Sequence, residues 1–506
     1  MDKEQKRLLD NSSSSFDERM FSDDEMFTDP EVNKTYSSVS GFATTVNYII
    51  GTGVFGIPLA FYAAGIPLAT IILILFFLIN VLTMNYVLDS MARGEGRMKQ
   101  IDKDGEIIPF KRTPKNNISF RMLDYTTLGN IWGGKILRWF NFGCLMLYLF
   151  GGLWAYAATS VSSMTTIFWM MYGDPEHCPD RYGHWDCQLC YYICLGIFSV
   201  IVCSLSFVDL SKQGILQMTL TAYRFLSFGV MVVTCIIQLI VKGPIDSNTS
   251  FMGEFKWVGF GTLFTHTAFA LTCHQNLPDA ITPVRNKKSL FWICSGAMLL
   301  SAVFYFALGL ICSWTFGSEV VSPVTNKWAT YTGTEGGWGN LENGTKWYGY
   351  IVQYFVLLFP VINLCNTYPL VATTFSSNLY TCFTHKFRTD RPKLSKALSI
   401  LLAYIPPLLM TCAVGSLQFI FDISGLMALF LAFLIPTILE ILSLYKTKRD
   451  YGKDAVKTPY YSKIVGNYVV TGIIVVLSVI FFAMSIYFLI AEQMVDEEIV
   501  SESITE

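Results

Sequence analysis

The chain has 506 residues, of which 52% are hydrophobic and 15% charged, with a mean hydropathy of +0.44. That is too apolar for a soluble chain of this size and fits one whose solvent is lipid. The net charge of -2, with no basic stretch interleaved with aromatics outside the loops between apolar runs, sets nucleic acid aside as a partner.

In chain order, residues 1–35 read as a disordered, acidic cytosolic tail, because they carry neither a basic leader nor an apolar core of the kind a signal peptide needs. Within the tail, Glu4 followed by Leu8 and Leu9 resembles the acidic dileucine signal read by clathrin adaptors. Two adjacent leucines in a polar tail bury nothing otherwise, so docking is a reasonable use for them. A lysosomal or endosomal membrane is the expected residence, with the plasma membrane as the rival.

A membrane helix needs roughly 20 apolar residues. Eleven runs qualify, near 38–62, 66–90, 139–168, 191–207, 215–241, 257–279, 290–316, 348–375, 397–414, 419–444 and 467–491. With the N-terminus inside, the outer loops hold only Arg181, Lys242, Lys256, Lys327 and Lys346, and the remaining inter-span Lys and Arg fall on cytosolic loops, as the positive-inside rule requires. Residues 492–506 form an acidic tail outside or in a lumen.

The first span, TTVNYIIGTGVFGIPLAFYAAG, carries Gly51, Gly53 and Gly56 at its middle, and Pro58 removes the bond to the Val54 carbonyl. A break inside the bilayer survives only where it faces protein or a polar cavity. The freed amides of Thr52, Gly53 and Val54 then suit a carboxylate, and the carbonyls of Asn47, Tyr48 and Ile49 suit an ammonium or a cation. The rival reading is that these glycines permit close helix packing.

Between the third and fourth runs, Cys178, Cys187 and Cys190 crowd one polar loop with His177 and His184. A disulfide between two of the three is expected if the loop faces outside, leaving one thiol unpaired; zinc is the alternative. In the fifth run Arg224 lies at membrane depth and needs a partner, with Asp279 and Asp422 as candidates for a structural ion pair or a gate. Asn248 and Asn343 head glycosylation sequons on outer loops.

The sixth span places Thr265, His266, Thr267, Thr272, Cys273, His274 and Gln275 at membrane depth, ahead of Pro278. Polar groups there are costly and are functional candidates. His266 and His274 could carry protons, or could simply be hydrogen-bonded. Tyr48 and Phe264 flank the interruptions and could line a side-chain pocket or merely pack. Carbonyls at Ala270, Leu271 and Thr272 complete the expected amine site. The outer loop from Gly317 to Trp347 is a candidate cap or a plain linker. Asp89 and Glu440, near cytosolic helix ends, are expected to be solvated.

Interruptions opening two successive five-helix halves, about 38–241 and 257–444, point to an inverted-repeat transporter with a midplane site. At these residues NYIIGTGVFGIPLAF resembles the first-helix signature of the amino acid/auxin permease family, and FALTCHQNLPDAITPV resembles its sixth-helix stretch. The resemblance runs from about 36 to 490 and implies an all-α, LeuT-like 5+5 arrangement with discontinuous helices 1 and 6, plus an eleventh helix near 467–491. It further implies a secondary active transporter moving amino acids with H+ or Na+. Asn47 matches a position that helps bind sodium in sodium-coupled members, with the eighth helix completing that site; Asn363, Asn366, Thr367, Thr373 and Thr374 are its candidates. An amino-acid sensor signalling through the cytosolic tail is the alternative. No paired nucleophile and base or metal-ligand spacing points to an enzyme, and no cofactor beyond the coupling ion is expected.

Overall fold

The computed structural model describes residues 35, 37–98, 116–121, 123–174, 177–178, 184–206, 214–247, 249–340, 344–413, 416–462 and 466–505. Glu4, Leu8, Leu9, Asn248 and Asn343 lie outside these residues, and with them the sorting-signal and glycosylation expectations.

Among the described residues the chain is helical throughout, apart from an isolated bridge between Thr334 and Gly337. The helices are α1 (Ser38–Ile49), α2 (Ile57–Ala64), α3 (Ile66–Met98), α4 (Tyr125–Met171), α5 (Trp185–Leu205), α6 (Gly214–Val241), α7 (Phe260–Leu271), α8 (Leu277–Ile281) and α9 (Leu290–Phe316). They continue with α10 (Trp347–Cys382), α11 (His385–Asp390), α12 (Pro392–Ala413), α13 (Leu417–Leu429), α14 (Ile435–Tyr451) and α15 (Tyr468–Thr505). Among the described residues, nine helical stretches, α13 and α14 counting as one, are long and apolar enough to cross a membrane. Such helices satisfy every backbone group internally, which is why the bilayer admits them.

The first and sixth apolar runs are interrupted, as the glycines and Pro58 of the first and the polar residues ahead of Pro278 in the sixth predict. Around the first break, α1 and α2 are separated by a 3-10 turn at Gly53–Phe55; around the second, α7 and α8 flank another at His274–Asn276. Two further irregularities carry no signal in the sequence. Gly134 leaves the helical region and kinks α4, so the segment before the span lies at an angle, and a π-helical turn at Phe430–Leu434 joins α13 to α14. Asp124 caps α4 by accepting the Thr127 amide at 2.8 Å.

The broken elements lie inside the bundle. α1 packs on α9, α7 is held between α13 and α15, and α4 runs along α10 and α13. The long loop after α9 is a packed cap rather than a plain linker. Trp328 is fully buried, its indole donates to Thr234 of α6 at 3.1 Å, and Trp338 stacks edge-on against Phe316, Trp328 and Tyr331. Asn326 bonds Ser162 and Ser163 of α4 at 3.1 and 3.3 Å, so the cap ties α4, α6 and α10 together, the last through Gln353 to the Ala329 carbonyl.

Candidate functional site: the cavity between two broken helices

Each break exposes backbone groups for a local reason. The last bonds of α1 run from Ile50 to the Val46 carbonyl and from Gly51 to that of Ile49; the next are Phe55 to Thr52 and Gly56 to Gly53. The second half-helix thus opens on the amides of Thr52, Gly53 and Val54, the positive end of its dipole. On α7 the last helical bond is Thr272 to the Ala268 carbonyl at 3.1 Å, and bonding resumes only at Asn276 to Cys273.

The two breaks touch. A Cβ on Gly53 would stand 2.6 Å from the Ala270 Cα, and one on Gly56 would stand 2.5 Å from the His266 ring. The glycines therefore serve both readings of the first span: they interrupt the helix and they let its break lie against α7. Tyr305 of α9 joins the two carbonyl ends, its hydroxyl lying 3.1 Å from both the Ile49 and the Ala270 oxygens. Tyr305 was not foreseen; a lone tyrosine in an apolar run gives no signal of what its hydroxyl will meet.

Beside the breaks is a cavity of about 40 Å³, room for a few water molecules. From the first break it is lined by Tyr48, Ile49, Gly51, Thr52 and Gly53; from the second by Phe269, Thr272, Gln275 and Asn276; and from α4 chiefly by Tyr148, Gly152 and Tyr156. Its lining holds no Asp, Glu, Lys, Arg or His among the described residues. Thr52 Oγ1 and Gln275 Oε1 are buried without a partner, so the wall presents polar groups with unused hydrogen-bonding capacity.

Of the expected site residues, Tyr48, Gly51, Thr52, Gly53 and Thr272 come together on this wall, and Ala270 contributes its carbonyl behind it. Leu271 and Thr267 are fully buried in α7, the latter with its hydroxyl unpartnered. Phe264 does not line the cavity. It faces the other way, in an aromatic stack with Phe76, Phe260 and Phe481 at centroid distances of 4.6, 5.4 and 5.0 Å, because helical geometry turns position 264 toward α3 and α15.

Arg224 finds neither Asp279 nor Asp422. Its guanidinium donates to Asn47 Oδ1 at 3.2 Å and to Asn363 Oδ1 at 2.8 Å, so the two asparagines expected to hold an ion hold this side chain. Thr367 donates to the Asn363 backbone carbonyl at 2.8 Å. Asp422 instead accepts from Thr265 Oγ1 at 2.5 Å and lies 3.5 Å from His266 Nδ1, which also contacts the Thr262 carbonyl at 2.8 Å. The carbonyl accepts only, so Nδ1 carries the proton; Nε2, facing Gly56, is buried without a partner. His274 Nε2 meets Thr83 Oγ1 at 2.9 Å. Asp279 is half-buried in the short helix α8, away from all of these contacts.

Asp89 and Glu440 correct a sequence expectation: they are 1% and 0% exposed rather than solvated. Arg93 explains it, reaching Glu440 at 2.7 Å, Ser443 at 2.8 Å and the Val456 carbonyl at 3.0 Å, with Asp89 at 3.8 Å and Thr458 bonded to Asp89. The segment 453–461 folds back over these helix ends and takes them out of water.

In the cysteine loop the disulfide is Cys178–Cys187, and Cys190 stays a buried free thiol. His177 bonds Asp186 at 2.7 Å and Asp174 at 3.0 Å, and the carboxylates raise its pKa above the usual histidine value. His177 clusters with Cys178 and Cys187 in ligand-like proximity, but the disulfide takes both sulfurs.

Residues 34–491 match the family described as transmembrane amino acid transporter protein. A transmembrane protein 104 homolog from Caenorhabditis elegans is 25% identical over 361 residues, covering 69% of this chain and 70% of its own. Transmembrane protein 104 of Mus musculus is 23% identical over 470 residues (83% and 90%), and that of Homo sapiens 24% over 468 (83% and 89%).

Proposed function

The chain belongs to the transmembrane amino acid transporter family, a family of transporters rather than enzymes, and on that premise we propose that it is a secondary transporter of amino acids or similar small zwitterionic solutes. The observation that carries this reading is the meeting of two half-helix ends at one cavity with no charged side chain on its wall. Open amides at Thr52 and Gly53 suit the solute's carboxylate. The carbonyls of Ile49 and Ala270, which share the Tyr305 hydroxyl, suit its amine.

In this reading the two interrupted runs cross the membrane alongside the nine long stretches, giving eleven spans in two inverted five-helix halves plus α15, with the N-terminus in the cytosol. Alternating access rocks the α1–α2 and α7–α8 segments against the rest, and the 40 Å³ cavity is the site in a contracted state. Substrate flux is coupled to H+ or Na+. A lysosomal or endosomal address through Glu4, Leu8 and Leu9 belongs to the same proposal.

The test is a screen of amino acids for thermal stabilisation of the purified protein, followed by flux of the best stabiliser in proteoliposomes. A ligand that binds the folded state raises its melting temperature. Stabilisation together with flux supports transport; stabilisation without flux moves the reading to a sensor. Flux at the wild-type rate in a folded Gly53→Val protein would falsify the proposed site.

A further inference from the structure

The environment of Arg224 is that of a bound cation. Two amide oxygens from elements far apart in sequence, Asn47 Oδ1 on α1 and Asn363 Oδ1 on α10, converge on its guanidinium at 3.2 and 2.8 Å. Thr221 Oγ1, one turn before Arg224 on α6, donates to the same Asn47 oxygen at 3.0 Å. Asn47 lies two residues before the end of α1, where the helix dipole is negative and the regular ladder closes with the bond from Ile50 to the Val46 carbonyl. Neutral oxygens gathered at the carboxyl end of an interrupted membrane helix make a seat for a monovalent cation. The side chain is 5% exposed, and the hydrogen bonds recorded for its two terminal nitrogens go to these neutral oxygens. A fixed positive charge at membrane depth is costly, so it persists where the surroundings suit a cation.

We propose that the Arg224 guanidinium is a tethered cation that fills the seat at Asn47 and Asn363, so that the protein neither binds nor requires sodium there. The guanidinium does not release its proton in proteins, so the seat keeps its charge at every physiological pH. The consequence rests on the transporter reading and narrows its choice of coupling ion: substrate flux is independent of sodium, and the coupling ion is the proton, bound elsewhere. It does not need that reading for its first test, since occupancy of the seat is measurable in a protein that transports nothing.

The melting temperature of the purified full-length protein is measured in sodium chloride, choline chloride and methylguanidinium chloride at equal ionic strength. The wild type is expected to melt at the same temperature in sodium and in choline. Arg224→Ala is expected to melt lower in choline and to recover upward with rising sodium or methylguanidinium, because an emptied seat takes a free cation. Arg224→Lys retains a tethered charge and is expected to stay indifferent to sodium. A sodium-induced rise in the wild type overturns the proposal, and so does a folded Arg224→Ala protein that no cation restores. Where Arg224→Ala does not fold, the wild-type and Arg224→Lys melts decide. In proteoliposomes, flux equal in sodium and choline agrees with the proposal and a sodium-dependent flux overturns it; absent flux bears on the transport reading and leaves the melting result standing.

Discussion

At Gly53 a single methyl group decides whether two helix breaks can meet. A Cβ there would press on Ala270 at 2.6 Å from its Cα, whereas a Cβ on Gly51 meets only the Tyr156 hydroxyl at 3.5 Å, an ordinary contact. Gly53→Ala is therefore expected to destabilise by about 1–3 kcal/mol through overpacking against backbone, and Gly51→Ala by much less. Thermal melts of both variants beside Gly229→Ala, where an added Cβ meets nothing within 4 Å, check this ordering. His177 supports a prediction with a pH sign. Its folded pKa is raised by the carboxylates of Asp186 and Asp174. The contribution of these bonds is thus complete below the ordinary histidine value of ~6.5 and fades as pH climbs through the raised one. The melting difference between wild type and His177→Gln should be larger below the ordinary histidine value than at a pH above the raised one. A difference that grows with pH contradicts the assignment.

At the scale of elements, Tyr305 is the link between α9 and both interrupted helices. Tyr305→Phe keeps the ring and deprives the Ala270 carbonyl of its donor, while the Ile49 carbonyl keeps the Gly51 amide. A buried acceptor left unsatisfied costs about 1–3 kcal/mol, so the variant should melt lower while remaining folded. If the two carbonyls receive the solute's amine, the same variant should also change apparent affinity, which a binding titration reads. Asp422 ties α13 to α7 through Thr265, and a Cβ on Gly425 would collide with the Thr265 backbone, so these two helices lie in close backbone contact. The breaks in the first and sixth runs were legible because glycine and proline act locally. The kink at Gly134 and the π turn at Phe430–Leu434 were missed, since neither a lone glycine nor an apolar run announces a change of helical register.

Across the whole molecule, the charges at the end of α3 show how folding changes what a residue is. Arg93 holds Glu440 and Asp89 in a region closed by segment 453–461, and removing it leaves two buried carboxylates without a counter-ion. Arg93→Ala is expected to cost about 3–5 kcal/mol, as for other broken buried pairs. Arg97→Ala, which loses a pair to Asp450 with both side chains 18% exposed, should cost about 1 kcal/mol or less. Chemical melts of the two variants should separate them clearly, and equal losses would contradict the distinction. By itself the sequence determined the membrane class, the apolar runs and the places where two of them break, because apolarity, run length, glycine and proline act on the chain within a few residues of themselves. The tertiary structure decided which groups the buried charges meet. Asn47 and Arg224 are 177 residues apart and Arg93 and Glu440 are 347 apart, and no local pattern encodes a partner at such distance. A lone cation in an apolar run implies only that some partner must exist; the packing of α1, α6 and α10 made that partner a pair of asparagines rather than an aspartate.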